Sequence, residues 1–226
     1  MTHINNNKRI KIVCGHYGSG KTNVCVNLAF LYKKRYPDSR VALADVDTVN
    51  PYFRAADAAK ELEDFGIHAI VPEFANTNVD IPSLPAELYS LFSRDSDVVS
   101  FIDVGGDDGA CALGMYSDLI KECGYEMIYV VSKYRPLISD PQAAADLMHI
   151  IEEASHLKCT AVVNNSSIGR ETTKEDIVSS LDYAHKVSEE CKLPLLFTSY
   201  YEELLGDLNI SGEKLFPMKN VTKQIF

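Results

Sequence analysis

The 226-residue sequence contains no C-x-x-C pair, although it has six cysteines at positions 14, 25, 111, 123, 159 and 191. Without paired spacing there is no zinc-ribbon or finger pattern. Several of the cysteines lie inside apolar runs, as in Ile12-Val13-Cys14 and Val24-Cys25-Val26, which predicts buried, reduced thiols. There is no apolar stretch near the ~20 residues that span a bilayer. The polar segment Met1 to Arg9, with three asparagines, does not read as a signal peptide. Positive charge is also short: 22 Lys+Arg against 32 Asp+Glu gives a formal net charge of −10. That balance opposes a generic nucleic-acid or anionic-membrane surface, because both require a basic face. Internal repeats and low-complexity linkers are absent. The expectation is a cytoplasmic protein of one domain over 1–226, with a core at about 9–206 and a tail at about 207–226.

What is present is an alternation of short apolar runs and amphipathic stretches. Ile10 to Cys14 ends at Gly15 as a buried strand would, and Lys21 to Tyr36 follows as a helix with Val24, Leu28 and Leu31 on one face. Further strands are predicted at 41–44, 67–71, 98–102, 127–131, 160–163 and 195–198. Helices are predicted at 55–65, 86–92, 110–123, 141–156, from Thr173, and from Glu202. Pro141 suits a first helical turn, and Thr173 an N-cap with Asp176 in the turn after it. Six or seven strands separated by helices predict a doubly wound, mostly parallel α/β sheet covered on both faces.

Gly15-His16-Tyr17-Gly18-Ser19-Gly20-Lys21-Thr22 fits G-x-x-x-x-G-K-[ST] and sits between the first strand and the first helix. The chemistry of this pattern is specific. Glycines let the backbone curl so that N–H groups face phosphate oxygens, and the helix start adds its positive end. Lys21 is the group to bridge the outer phosphates, and the Thr22 hydroxyl the one to ligate Mg²⁺. Asn23, next along the helix, is grouped with the nucleotide-binding residues. Backbone N–H groups and one lysine are thus able to hold a polyanion on an acidic protein.

A magnesium–nucleotide site also needs carboxylates, at the C-terminal ends of strands beside the loop. Val41 to Ala44 runs into Asp45-Val46-Asp47, and Val98 to Ile102 into Asp103-Val104-Gly105-Gly106. Asp103 is the expected magnesium carboxylate and Asp47 the group to position water or contact the metal. Asp45 is either its support or structural. Asp107 and Asp108 read as the N-cap and first turn of the next helix, with Gly105 and Gly106 as an alternative γ-phosphate-sensing loop.

These segments together resemble the MinD/ParA branch of P-loop ATPases, a group that includes CobQ/CobB-like enzymes and nitrogenase iron protein. The likeness rests on the loop at 15–22, Asp45-x-Asp47 with Asn50 beyond it, and Asp103-x-Gly105-Gly106. It implies a P-loop fold, Mg-ATP as ligand, and a switch segment at Val49 to Arg54. One departure is plain. Members of that branch carry a second lysine after the first loop glycine, which reaches a dimer partner's nucleotide; here the residue is His16, and imidazole is shorter. The resemblance therefore leaves a homodimer as a candidate and His16 as either its replacement or an ordinary loop residue.

A second comparison is with metallochaperone GTPases, which read guanine with Asn-Lys-x-Asp. This chain has Asn164-Asn165-Ser166-Ser167 there, and the serine cannot make the charge-assisted pair that aspartate offers two guanine N–H groups. ATP is therefore expected over GTP, with Asn164 either on the adenine edge or closing a turn. Arg54, Arg135 and Arg170 are each read as surface charges or as candidate phosphate contacts. Tyr200 and Tyr201 are read as packing residues before a base pocket. The Lys-bearing segment 214–226, interrupted by Pro217, is expected to pack on the domain rather than bind membrane. Three functions are in view: an ATPase switch binding ATP and ADP and acting on a partner protein, a small-molecule kinase or ligase of the CobB or dethiobiotin-synthetase kind, and a non-catalytic nucleotide module. The segment 72–85 is the candidate acceptor pocket for the second.

Overall fold

In a computed structural model, residues 7–46, 55–70 and 86–221 are described. β1 (Ile10–Gly15) leads through a tight loop into α1 (Lys21–Arg35), then β2 (Val41–Asp45), α2 (Ala55–Asp64), β3 (Ile67–Ile70), α3 (Ala86–Leu91) and β4 (Val99–Asp103). The second half runs α4 (Gly106–Gly114), α5 (Ser117–Cys123), β5 (Tyr125–Val131), α6 (Pro141–Ser155), β6 (Ala161–Asn164), α7 (Lys174–Cys191), β7 (Leu195–Tyr201), α8 (Glu202–Leu205) and β8 (Leu215–Met218). The strands form one sheet of order β3-β2-β4-β1-β5-β6-β7-β8, with every pairing parallel. This is the doubly wound α/β sheet that the alternating pattern predicts.

Alternation along each strand explains the two cores. Ile10, Ile12 and Cys14 of β1 face one apolar layer with Met127 and Tyr129. Val13 faces the other, where Val24, Leu28 and Ala29 of α1 pack with Ile128 and Val130. The chain leaves β1 toward β2 and β3, returns to insert β4 beside β1, and crosses to β5 on the other flank. The reversal puts the C-terminal ends of β4, β1 and β5 around one crevice, where ligands of open α/β sheets bind.

Several boundaries differ from the sequence reading. The stretch 110–123 is two helices, not one: α4 begins four residues earlier and ends at Gly114, and Tyr116 N–H bonds the Leu113 carbonyl at 2.9 Å in a tight turn before α5. A Cβ at Gly114 would lie 2.7 Å from the Ala154 carbonyl, so the break falls where the α6 backbone leaves no room for a side chain. The N-cap of α4 is Gly105, without a side-chain cap, rather than Asp107. At α7, Thr173 and Asp176 form the full capping box. β7 runs three residues past Thr198, and the eighth strand was hidden by its proline. Pro217 is tolerated because β8 lies at the sheet edge, pairing only with β7. The tail thus packs on the domain as far as Val221, as expected.

One polar pair interrupts the interior. Lys11 of β1 and Glu126 of β5 are register partners; their Nζ and Oε2 atoms are 3.3 Å apart, and both side chains are buried. Burial pulls the lysine below its ordinary pKa, against the opposing pull of Glu126. Removing one member leaves the other charge buried. Lys11→Met is expected to cost about 3–5 kcal/mol in urea unfolding, and the double change Lys11→Met with Glu126→Leu to recover most of that loss.

Candidate nucleotide-binding site

The loop between β1 and α1 is shaped at both ends by glycine. At Gly15, where β1 lies against β5, a Cβ would stand 2.4 Å from the Val130 carbonyl. Gly20 is the N-cap of α1 with φ 82°, and a Cβ there would fall 2.1 Å from Asn165 Nδ2. Between them, each carbonyl is held by a donor. The His16 carbonyl accepts from Lys21 Nζ at 3.2 Å and from Ser19 N–H at 3.1 Å. The Tyr17 carbonyl accepts from His16 Nδ1 at 2.7 Å, that of Gly18 from Arg135 Nε, and that of Ser19 from Asn165 Nδ2 at 2.7 Å. The Gly20 carbonyl accepts the first α-helical bond, from Val24 N–H.

Peptide planes are rigid and trans, so a carbonyl fixed to one side sends the next N–H to the other. The N–H groups of Gly18 and Gly20 are oriented in this way, without a ligand doing it. Ser19 Oγ, almost fully buried, has no hydrogen-bond partner among the described residues. A buried hydroxyl left so is costly unless something else meets it. Glycine cradle, orphaned hydroxyl and buried lysine together fit a polyphosphate.

Hard oxygen donors lie on the β4 side. Thr22 Oγ1, in the first turn of α1, donates to Asp103 Oδ2 at 2.6 Å. Asp103 ends β4 and is the register partner of Asp45, which ends β2. Both carboxylates are buried. Their charge is felt one turn along α1: the Cys25 thiol is pushed well up, by burial first and then by Asp103 and Asp45. A hydroxyl and two carboxylates suit Mg²⁺, which prefers oxygen ligands.

The structure therefore brings together Gly15, His16, Tyr17, Gly18, Ser19, Gly20, Lys21, Thr22, Asp45 and Asp103. Asp47, Asn50 and Arg54 lie outside the described residues, as does the segment 72–85. Two predicted members are turned elsewhere. Asn23 is buried; it donates to the Tyr201 hydroxyl at 3.1 Å and accepts from Val221 N–H at 3.0 Å, so its side chain secures the tail. Asn164 gives its amide N–H groups to Ser180 and Thr198 and takes the Ser166 hydroxyl on its carbonyl, with no exposed surface. That leaves the adenine-edge reading of Asn164 without a free group. The neighbour Asn165 is the one that reaches the loop, and its Oδ1 is held by the Ser199 hydroxyl at 2.7 Å. The Asn-Asn pair is visible in the sequence, but which of two adjacent side chains faces the loop depends on where β6 stops. Tyr200 and Tyr201 are packing residues, and burial with Glu203 nearby lifts the Tyr201 hydroxyl to about 12.

No protein-family model matches the sequence, and no curated protein matches it. Among solved structures, the chain is similar to cell division protein FtsY from Thermotoga maritima, with a TM-score of 0.52 and 20% identity over 85% of this chain and 62% of that one. It is also similar to chloroplast FtsY from Physcomitrella patens, with a TM-score of 0.52 and 18% identity over 86% of this chain and 59% of that one. A structure of FlhF complexed with GTP and Mg²⁺ aligns at a TM-score of 0.48 and 16% identity, over 91% and 68%. The chain spans less than two thirds of the length of either FtsY. The two FtsY likenesses show an α/β fold of the P-loop NTPase kind, and do not single out the MinD/ParA branch within it.

Asn165 gives a direct check on the loop geometry. Asn165→Ala removes the donor to the Ser19 carbonyl and the partner of Ser199. It is expected to lower unfolding free energy by about 1–3 kcal/mol and to speed amide hydrogen exchange at residues 16–20.

Proposed function

We propose that this protein binds Mg-ATP and hydrolyses it slowly to ADP and phosphate, as a cytoplasmic switch whose nucleotide state controls a partner protein. The observation that carries this reading is the Thr22–Asp103 hydrogen bond at 2.6 Å, beside a loop whose carbonyls are already held away from the cradle. Thr22 and Asp103, with Asp45 beside them, are the residues that would hold Mg²⁺. When bound, the ion neutralises charge on the phosphate oxygens. The loop N–H groups bind and orient the phosphates, and Lys21 stabilises negative charge on the transferring group. Asp47 is assigned to the attacking water. A homodimer, with His16 at its face, is a candidate assembly; the partner protein is otherwise unspecified.

Adenine is favoured over guanine by the loop after β6. Ser167 stands where a guanine reader carries aspartate. Its hydroxyl is 3.0 Å from Thr172 Oγ1 and accepts from Gly169 N–H at 3.2 Å. It shapes its own loop and has no carboxylate to offer two base N–H groups.

Calorimetry with Mg-ATP and Mg-GTP tests both points. The parent protein is expected to prefer ATP by roughly tenfold or more, the difference a single charged hydrogen-bond pair makes. Lys21→Ala is expected to lose roughly 100-fold in ATP affinity; unchanged affinity would end the phosphate-loop reading. Asp47→Asn is expected to bind ATP normally but to hydrolyse it about 100-fold more slowly in a phosphate-release assay. Parent-like turnover would remove Asp47 from its role.

A further inference from the structure

Arg135 follows β5, on the flank of β1 opposite to Asp103 and β4. Its guanidinium lies against Gly18 of the glycine loop. Nε donates to the Gly18 carbonyl at 2.5 Å, and Cζ comes within 2.8 Å of where a Gly18 Cβ would stand. Only Nε is engaged in that bond, and no carboxylate of the described residues lies within ion-pair distance of the guanidinium. Arg40 sits on Asp97 and Arg94 on Glu122, whereas Arg9, like Arg135, gives its N–H groups to backbone carbonyls. In a chain with ten more acidic than basic residues, an arginine without an acidic partner among the described residues, seated on a glycine loop, is notable for its position.

The charge inventory around the loop gives this arginine a task. Asp45 and Asp103 outnumber Lys21, the one lysine within the loop, so a polyphosphate there calls for cationic groups beyond Lys21 and the metal. Lys21 Nζ lies against the His16 carbonyl, which puts the ammonium under the first residues of the loop rather than at the helix axis. A polyphosphate met by Lys21 there would have its outer end toward residues 16–18, beside the Gly18 carbonyl that Arg135 holds. Its two η-nitrogens form the planar fork that matches phosphate oxygens.

Resting on the nucleotide reading above, we propose that Arg135 is a phosphate-contacting residue: its η-nitrogens bind the terminal phosphate of the bound triphosphate, while Nε keeps the Gly18 carbonyl turned away. The metal side of the site is then on the β4 flank and the arginine on the β5 flank, with the terminal phosphate between them. The chemistry demands a triphosphate; a diphosphate ends short of the fork.

The test is calorimetry of the full chain with Mg-ATP and with Mg-ADP, comparing the parent with Arg135→Gln, Arg135→Lys and Lys21→Ala. Arg135→Gln keeps an N–H donor for the Gly18 carbonyl and removes the charge. It is expected to weaken Mg-ATP about 10- to 100-fold and to leave Mg-ADP within about twofold. Arg135→Lys, a point charge without the fork, is expected to recover only part of the ATP affinity. Equal affinity of parent and Arg135→Gln for ATP, or an equal loss for ATP and ADP, would overturn the proposal and reduce Arg135 to a residue that shapes the loop. Those outcomes leave the nucleotide reading standing as long as Lys21→Ala loses binding. A parent protein that binds neither nucleotide ends both.

Discussion

A single peptide loop has to turn a row of backbone N–H groups toward a ligand, and a flexible chain does not do that by itself. In this protein the constraint is met from behind, through the carbonyls. Lys21, His16, Arg135 and Asn165 each hold one of them. They reach the loop from α1, from the loop itself, from the end of β5 and from the end of β6. The parallel sheet is what makes this convergence available. β1 is central: β5 and β6 on one side of it send Arg135 and Asn165 to the loop, and β4 on the other sends Asp103 to Thr22 at the start of α1. Preorganisation of this kind removes an ordering cost from binding, so a residue such as Asn165 bears on affinity through the loop alone.

The acidic character of the chain takes a specific form at this site. Asp45 and Asp103 are buried register partners at the ends of β2 and β4, where their charges reinforce each other's demand for a cation. The Thr22 hydroxyl answers one of them. The same two charges add to burial in suppressing ionisation of the Cys25 thiol, so the cysteine beneath the site stays a packing residue. Net negative charge is thus compatible with an anionic ligand when the buried carboxylates gather on the β4 side of the loop and the cationic groups lie elsewhere around it.

Much of this was legible in the sequence because the loop pattern is local. Eight contiguous residues, the strand before them and the helix after them specify the cradle, and apolar runs ending in aspartate specify Asp45 and Asp103. The parts that were not legible depend on side chains meeting across long sequence distances. Asn164 and Asn165 are indistinguishable as letters, yet one is sealed in a polar cluster with Ser180 and Thr198 and the other meets Ser19. Asn23 carried the signal of its neighbours Lys21 and Thr22, but it lies on the face of α1 that meets the tail. β8 lies in the segment read only as a packing tail, because a four-residue strand containing Pro217 shows its pairing only at the sheet edge. The helix break at Gly114 reflects a close approach to α6, which a periodicity along one helix does not report.

The polar stripe of α1 has a consequence for the order in which the molecule is made. Asn23 and Asn27, one and two turns into the helix that carries Lys21 and Thr22, hold the backbone of Lys219 and Val221. The sequence separation is 192 to 198 residues. During synthesis α1 emerges well before residues 219 and 221, so these long-range bonds form only once the far edge of the sheet is in place. Closing so long a span is slow in folding. The helix that follows the glycine loop is therefore held in part by backbone that is made 192 to 198 residues after it.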